Sequence, residues 1–350
     1  MRRSPGNLGS RRVREVRSEP CHLRPATPRD PSAGARHHER TMMAELHHDP
    51  VMAEEVLRDL ALTPGETVAD GTLGLAGHSR LMARQIAPGG SLLGFDWDAV
   101  MLAEAKSRLA EIEGVEFDFY HSDFRALAGI DIRLDGILLD LGLNSAQLDD
   151  PERGISFKDE EAPLDMRMDR SSGEPAAALL NRWSLDEITD VLHLHGDERW
   201  ARAIARKILE RRRERPLRTV GDLVECVLAA IPVRARDKRL HPATRTFQAV
   251  RIAVTRELED LEETLFEIAQ KLADGGRMVV LSYHSGEDRA TKRAFRRLAE
   301  DGFENRYSKP LTPTDEEIRR NPRARSAKMR TVSRPTDLHG SVMAKEGPRH

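Results

Sequence analysis

Short apolar runs alternate with helical patterns from Val51 onward, and the turns between them are brief. Val51–Leu62 has helical spacing through Met52, Val56 and Leu60, and Thr63-Pro64-Gly65 stops it. Strands are predicted at Thr67–Asp70, Ser91–Asp96, Val115–Phe119 and Gly136–Asp140. Helices are predicted over Leu75–Ile86 and, from an Asp98 cap, to about Leu109. Strand–helix alternation with short turns predicts a parallel, doubly wound α/β sheet.

The alternation stops at about Gln147. From there to Leu240 the chain shows helical patterns at Ala176–Trp183, Asp186–Leu194, Glu198–Arg213 and Val220–Ala230, punctuated by Pro151, Pro163, Pro175, Pro216 and Pro232. A long helix is predicted through Phe247, Val250, Val254, Leu258, Leu261, Leu265, Ile268 and Leu272. Asp274-Gly275-Gly276 ends it, and Arg277–Ser282 reads as a fifth strand. The expected organisation is an α/β domain in two pieces, residues 42–146 and 243–350, interrupted by an all-helical insert, residues 147–242.

The first turn of the sheet carries chemistry. Asp70-Gly-Thr-Leu-Gly-Leu-Ala-Gly-His78 lies between a predicted strand and a helix, where backbone N–H groups approach a ligand closely. The next strand ends in Asp96, and a carboxylate at that position suits the two donors of a ribose diol. The glycines fall at 71, 74 and 77, which is not the GxGxxG spacing of dinucleotide sites and counts against a nicotinamide oxidoreductase. S-adenosylmethionine needs no pyrophosphate cradle and fits the loop plus Asp96 better. Asp96-Trp97-Asp98 also has the form of a metal-binding DxD, although a helix N-cap accounts for Asp98 more simply. Phe124 follows the third strand at the carboxyl edge of the sheet, placed either to stack on adenine or to fill the core.

The charge distribution narrows the function. Residues 1–41 hold ten arginines against four acids, a net of +6, and the remaining residues carry 46 basic against 54 acidic side chains, a net of −8. An acidic body argues against nonspecific coating of nucleic acid. The tail reads as disordered and as the product of an upstream start ahead of Met42 or Met43. Glu15 and Glu19 count against a mitochondrial transit peptide. With Cys21 and Cys226 the only cysteines, neither a disulfide framework nor a zinc quartet is expected, and no apolar run is long enough for a membrane span. A cytoplasmic location is the expectation.

Asp135-Gly-Ile-Leu-Leu-Asp140-Leu-Gly-Leu-Asn144-Ser145-Ala-Gln147-Leu-Asp149 is the most distinctive stretch: a strand ending in an acid, then a polar loop. It stands with His48-x-Pro50-Val51, Arg153-Gly154-x-Ser156-Phe157, Pro163-Leu-Asp-Met-Arg-Met-Asp169 and Gly196-x-Glu198-Arg199. Further on come His241-Pro-Ala-Thr-Arg-Thr-Phe-Gln248-Ala-Val-Arg-Ile252, His284-Ser285-x-Glu287-Asp288-Arg289 and Asn321-Pro-Arg-Ala-Arg-Ser326. Together these segments, which cover nearly all the chain after residue 47, resemble the RsmH/MraW family of small-subunit ribosomal RNA (cytosine-N(4))-methyltransferases.

The resemblance implies a Rossmann-like sheet with an inserted helical domain and S-adenosylmethionine as donor. Its acceptor would be a cytidine of 16S ribosomal RNA near the decoding centre. It implies cofactor contacts at Ala76, Gly77, His78, Asp96, Phe124, Asp140 and Gln147, no metal, and small-subunit rRNA or a ribosomal particle as partner. No stable protein partner is evident and a homodimer stays open. The chain departs from the family pattern at Ala76 (usually Gly), Asn144 (usually Ser), Gly286 (usually Leu) and Thr255 (usually Asn).

Residue types bear on mechanism independently. Methylating carbon 5 of a pyrimidine requires a cysteine nucleophile, and neither cysteine sits at a strand end. Attack by an exocyclic amine asks chiefly for positioning and a proton acceptor, and Asp140 is the candidate catalytic residue. The Asp/Asn-Pro-Pro-aromatic signature of many amino methyltransferases is missing. His284 is either a proton shuttle, an RNA contact or a structural histidine. For RNA, the basic run Arg199, Arg202, Arg206, Lys207, Arg211, Arg212, Arg213, Arg215 and Arg218, with Arg234, Arg236, Lys238, Arg239 and His241 after it and the segment Arg319–Arg330, offers phosphate contacts.

Overall fold

A computed structural model describes residues 50–142, 150–170, 172–237 and 240–336. The basic tail 1–41, His48, Asn144, Gln147, Lys238 and Arg239 lie outside the described residues. The elements in chain order are α1 (Ala53–Leu60), β1 (Thr67–Asp70), α2 (Gly77–Ile86), β2 (Gly90–Asp96), α3 (Ala99–Leu109), β3 (Val115–His121) and β4 (Leu134–Asp140). Helices α4 (Ala176–Arg182), α5 (Leu185–Gly196), α6 (Ala201–Glu214), α7 (Val220–Ala230), α8 (Thr244–Thr255) and α9 (Leu261–Ala269) follow. The chain closes with β5 (Leu272–Ser282), α10 (Ser285–Glu300), β6 (Glu304–Asn305), α11 (Asp315–Arg320) and β7 (Lys328–Ser333).

The strands form one sheet in the order β3-β2-β1-β4-β5-β7-β6. Strands β1 to β5 are parallel, as the sequence leads one to expect. Beyond them β7 runs antiparallel to β5, and β6 antiparallel to β7, an edge that strand–helix alternation did not predict. The central strands β1, β2 and β4 are buried almost throughout, because helices cover both faces. Ala69, Leu93, Phe95, Leu139, Met278 and Val280 face α9 and α10, whereas Val68, Leu92, Leu138, Val279 and Leu281 face α1 and α2. Such a sheet gathers the carboxyl ends of β1, β2, β4 and β5 along one edge.

Between β4 and β5 the chain builds a second apolar core from α4 to α7 and the loop before them. Phe247, Ala249 and Val250 of α8 belong to this core too, so the helical packing runs past residue 242. None of the helices among the described residues is long and apolar enough to cross a membrane.

The long helix expected over 247–272 is two helices. Arg256 (φ 53°) and Asp260 (φ 52°) take left-handed backbone conformations that end α8 and start α9. Thr255 Oγ1 bonds back to the Arg251 carbonyl at 3.0 Å and to Glu257 Oε2 at 2.9 Å, so the break turns Glu257 inward. Leu272 and Asp274-Gly275-Gly276, expected to end a helix, lie inside β5.

Gly154 shows the backbone demands of the loop that begins the helical region. Its φ is +61°, and a Cβ there would collide with the Pro163 carbonyl oxygen. Gly154→Ala is therefore expected to cost at least about 2 kcal/mol, read as a melting temperature lowered by about 4 °C or more. An unchanged melting curve would refute the assignment.

Candidate active site

The site begins with strand-end aspartates. At the end of β1, Asp70 accepts the Ser79 hydroxyl at 2.6 Å and the Thr72 N–H at 3.0 Å, which folds the glycine loop back on the strand. Ala76 turns that loop into α2 with a left-handed backbone (φ 61°). It is fully buried against Leu73, Leu102, Ala105 and Leu109, so its methyl group packs in the core and its role is to shape the loop. Gly77 backs onto Pro50, whose ring a Cβ would touch at 3.4 Å.

At the end of β2, Asp96 pins the loop. Its carboxylate accepts the Gly74 N–H and the Asp98 N–H, each at 2.8 Å. A carboxylate has about four acceptor positions, so two remain for a ligand diol. Burial pushes its pKa up to about 6 against the pull of those two N–H groups, and the nearby charges of Asp98 and Asp70 add to the rise. Asp98 caps α3 by accepting from Val100 N and Met101 N, as expected, and its second oxygen meets Arg153 at 2.6 Å. The helix cap expected for Asp98 is thus present, with Arg153 as its charge partner. Phe124 opens a 3-10 helix, Phe124–Gly129, after β3, is partly buried, and carries Arg125 over its ring at 5.0 Å.

At the end of β4, Asp140 receives its neighbours from two sides. Its backbone N–H donates to Thr72 Oγ1 at 2.7 Å. The Tyr283 hydroxyl, from the segment after β5, bonds its carboxylate, and the Tyr283 ring lies against Gly142 so closely that any Cβ there would clash. Burial, chiefly, raises its pKa to about 7, helped by the charges of Asp70 and Glu287 and opposed by Tyr283 and the Gly142 N–H.

His78 Nε2 stands 3.8 Å from Asp140 Oδ2, just beyond hydrogen-bond range. Burial lowers its pKa to about 4, so the ring is neutral. Both His78 ring nitrogens and Asp140 Oδ1 are buried without a partner. A lost partner costs a buried polar group about 1–3 kcal/mol, so such groups side by side mark a place shaped for a polar ligand.

Two cavities meet at Asp140. The first is lined by Asp96, Trp97, Asp123, Phe124, Met168 and Glu257, the second by His78, Phe157, Gln248, Arg251, Tyr283 and Arg323. Thr72, Gly74, Asp140, Gly142 and Glu287 line both, and the second measures about 590 Å³. Thus Gly77, His78, Asp96, Phe124 and Asp140 come together around one cleft, Ala76 lies behind it, and Gln147 is outside the described residues.

Sequence reasoning missed Thr72, inside the glycine loop, and Tyr283, Glu257 and Arg251, which reach the cleft through long-range packing. The run His241–Ile252 contains Arg251, and Tyr283 directly precedes the run His284–Arg289. Arg251 pairs with Glu257 at 2.6 Å. Burial acts to raise the Glu257 pKa, but Arg251 and His284 hold it down at about 2.

His284 proves structural. Its Nδ1 accepts the N–H groups of Gly286 and Glu287 as the N-cap of α10, and its Nε2 faces Glu257 and Glu287 at 3.3 and 3.2 Å. The carboxylates favour a charged ring, whereas a proton on Nδ1 would break both cap bonds. The cap geometry decides for the neutral Nε2–H form.

A sheet of this order, with a glycine loop, a β2 carboxylate and a β3 aromatic around one cleft at its carboxyl edge, is that of a Rossmann-like methyltransferase dependent on S-adenosylmethionine. The family model of the MraW methylase family matches residues 45–335. The chain is 45% identical over 315 residues to "Ribosomal RNA small subunit methyltransferase H" of Pelobacter propionicus, covering 83% of this chain and 100% of that protein. The same name belongs to relatives from Geobacter sp. (43% over 314 residues, 83% and 100%) and Cyanothece sp. (44% over 296 residues, 85% and 97%). The chain belongs to the MraW methylase family.

The raised pKa of Asp96 has a sign that can be measured. A folded-state value of about 6 against 3.8 means this carboxyl stabilises the fold below about pH 4, and that stabilisation is lost as pH rises through about 6. Asp96→Asn keeps only one acceptor oxygen for the Gly74 and Asp98 N–H groups. At pH 7 it should weaken donor binding at least tenfold, and it should flatten the fall in stability between about pH 4 and pH 6. Thermal melts and calorimetric titration with S-adenosylmethionine check both halves; unchanged affinity would remove Asp96 from the site.

Proposed function

We propose that this protein transfers a methyl group to the exocyclic N(4) amine of a cytidine in small-subunit ribosomal RNA, near the decoding centre. The observation that carries the reading is the position of Asp140, at the neck where the two cavities join. The cavity containing Asp96, Trp97 and Phe124 offers a diol acceptor and aromatic faces, which suits the nucleoside part of the donor. The orphaned His78 and Asp140 atoms suit the polar amino-acid part. When bound, S-adenosylmethionine supplies an electrophilic methyl group.

The larger cavity takes the base. Phe157 stacks on His241 with ring centroids 4.4 Å apart, and Phe247 meets Phe157 edge-on at 5.6 Å, giving it an aromatic wall. An amine held beside Asp140 would face the cavity assigned to the donor, and the Asp140 carboxylate would take the proton that the nitrogen gives up on methylation. With a pKa near 7, that carboxylate is ionised for part of the population at neutral pH and can release the proton afterwards.

Carbon-5 chemistry has no support, because Cys226 lies in the helical core, where burial pushes its thiol up to about 11. Gln147 is read as a further cofactor contact on the strength of the family motif alone.

The helical region, residues 147–242, is the proposed RNA-recognition unit, although much of its basic run is occupied. Arg211 and Arg215 pair with Asp222, Arg202 with Asp186 and Lys207 with Glu210, while Arg212 bonds the carbonyls of Leu180 and Trp183. Lys158 and Arg323 also line the larger cavity. The family relatives, named for the small subunit, support a ribosomal substrate and a cytoplasmic setting.

The reaction is tested by mass spectrometry of nucleosides from small-subunit rRNA incubated with protein and donor: N(4)-methylcytidine is expected, and its absence with label in another nucleoside would overturn the reading. The rate at saturating substrates should rise through about pH 7, and Asp140→Asn should lower it by about 10²-fold or more. A pH-independent rate would exclude Asp140 as the proton acceptor. RNA affinity should fall with salt by roughly 0.7 logarithmic units of affinity per unit of log salt for each single-strand phosphate contact; a flat response would reject phosphate binding.

A further inference from the structure

One buried arginine ties the helical region to the carboxylate assigned to the donor ribose. Arg153 lies in the loop that enters this region, with its side chain 10% exposed. Its guanidinium is fully engaged: one terminal nitrogen reaches Asp98 Oδ2 at 2.6 Å, the other the Met168 carbonyl at 2.6 Å, and Nε reaches Asp150 Oδ2 at 3.1 Å. Its own carbonyl accepts the Met166 N–H at 2.7 Å, and the left-handed turn at Gly154 fixes the direction in which the chain leaves.

Asp98, 5% exposed, completes the link. One of its oxygens caps α3, and its backbone N–H donates to Asp96 Oδ1, whose other oxygen holds the Gly74 N–H. A continuous chain of hydrogen bonds thus runs Met168–Arg153–Asp98–Asp96–Gly74. Its two ends, Met168 and Gly74, line the same cavity as Asp96 and Trp97.

We propose that Arg153 is a positioning residue for donor binding, holding Asp98, and through it the Asp96 carboxylate, in the orientation that receives the ribose. The inference rests on the donor site assigned above. Its physical basis is that removing one partner of a buried ion pair strands the other charge, which then seeks water or a proton. Asp98 cannot move to water without dragging the N–H that orients Asp96. A planar guanidinium with several fixed donors serves this geometry, and an ammonium fills only part of it.

The test is calorimetric titration of the full chain with S-adenosylmethionine, alongside steady-state kinetics. Arg153→Met and Asp98→Asn should each weaken donor affinity about tenfold or more, and Arg153→Lys should fall between Arg153→Met and the unaltered protein. Because both residues act through one chain, the double variant should be no more than about threefold weaker than the weaker single. At saturating donor the turnover number should stay within about threefold, so the loss appears in the donor KM. Should Arg153→Met not fold, Arg153→Lys carries the test, with weaker donor affinity expected and unaltered affinity overturning the proposal.

Arg153→Met with unaltered donor affinity, or with its loss confined to turnover or to melting temperature, overturns the positioning role and leaves the donor site standing. Absence of donor uptake by the unaltered protein removes the donor site itself and this inference with it.

Discussion

Negative charge buried without a cation is the constraint around which the active edge is organised. Asp70, Asp96 and Asp140 end three neighbouring strands, and burial raises the pKa of each. Their immediate partners are neutral donors: the Ser79 hydroxyl, the backbone N–H groups of Thr72, Gly74 and Asp98, and the Tyr283 hydroxyl. His78, 3.8 Å from Asp140, is itself neutral. Such an edge is costly when empty and gains most from a ligand that brings positive charge and hydroxyl donors. A sulfonium donor with an ammonium group and a ribose meets both needs.

The same constraint explains the raised pKa of the proposed proton acceptor. A fully solvated aspartate would be too weak a base to hold an amine's proton near neutral pH. Burial, with the charges of Asp70 and Glu287 beside it, brings the Asp140 carboxyl toward the working range against the opposing pull of Tyr283. Tyr283 is in turn held by the register of β4 and β5, in which Asp140 lies opposite Leu281. The geometry around Asp140 thus follows from strand pairing.

The parallel half of the sheet was legible in the sequence because local signals agreed: apolar strands, a capped helix at Asp98, and a glycine loop. Asp96 and Asp140 were legible as strand-end acids. The break between α8 and α9 was not, because Leu258 and Leu261 stay in helical phase across a turn that depends on left-handed Arg256 and Asp260. The β6–β7 edge escaped notice because β6 is only two residues long and the pairing of β7 is set by distant β5. Tyr283, Arg251 and Glu257 were invisible as site residues for the same reason: the sheet and the helix break bring them together across long separations in sequence.

That helix break connects the two cores. Helix α8 buries Phe247, Ala249 and Val250 in the helical region, while Gln248 and Arg251 on its other side line the larger cavity. Arg251 grips Glu257, Glu257 faces His284, and His284 caps α10, whose Glu287 lines both cavities. The larger cavity is therefore joined to a network that ends beside Asp140. Arg153 makes the corresponding link on the donor side. The helical region thus reaches the cleft through Arg251 on one side and Arg153 on the other, each paired with a carboxylate.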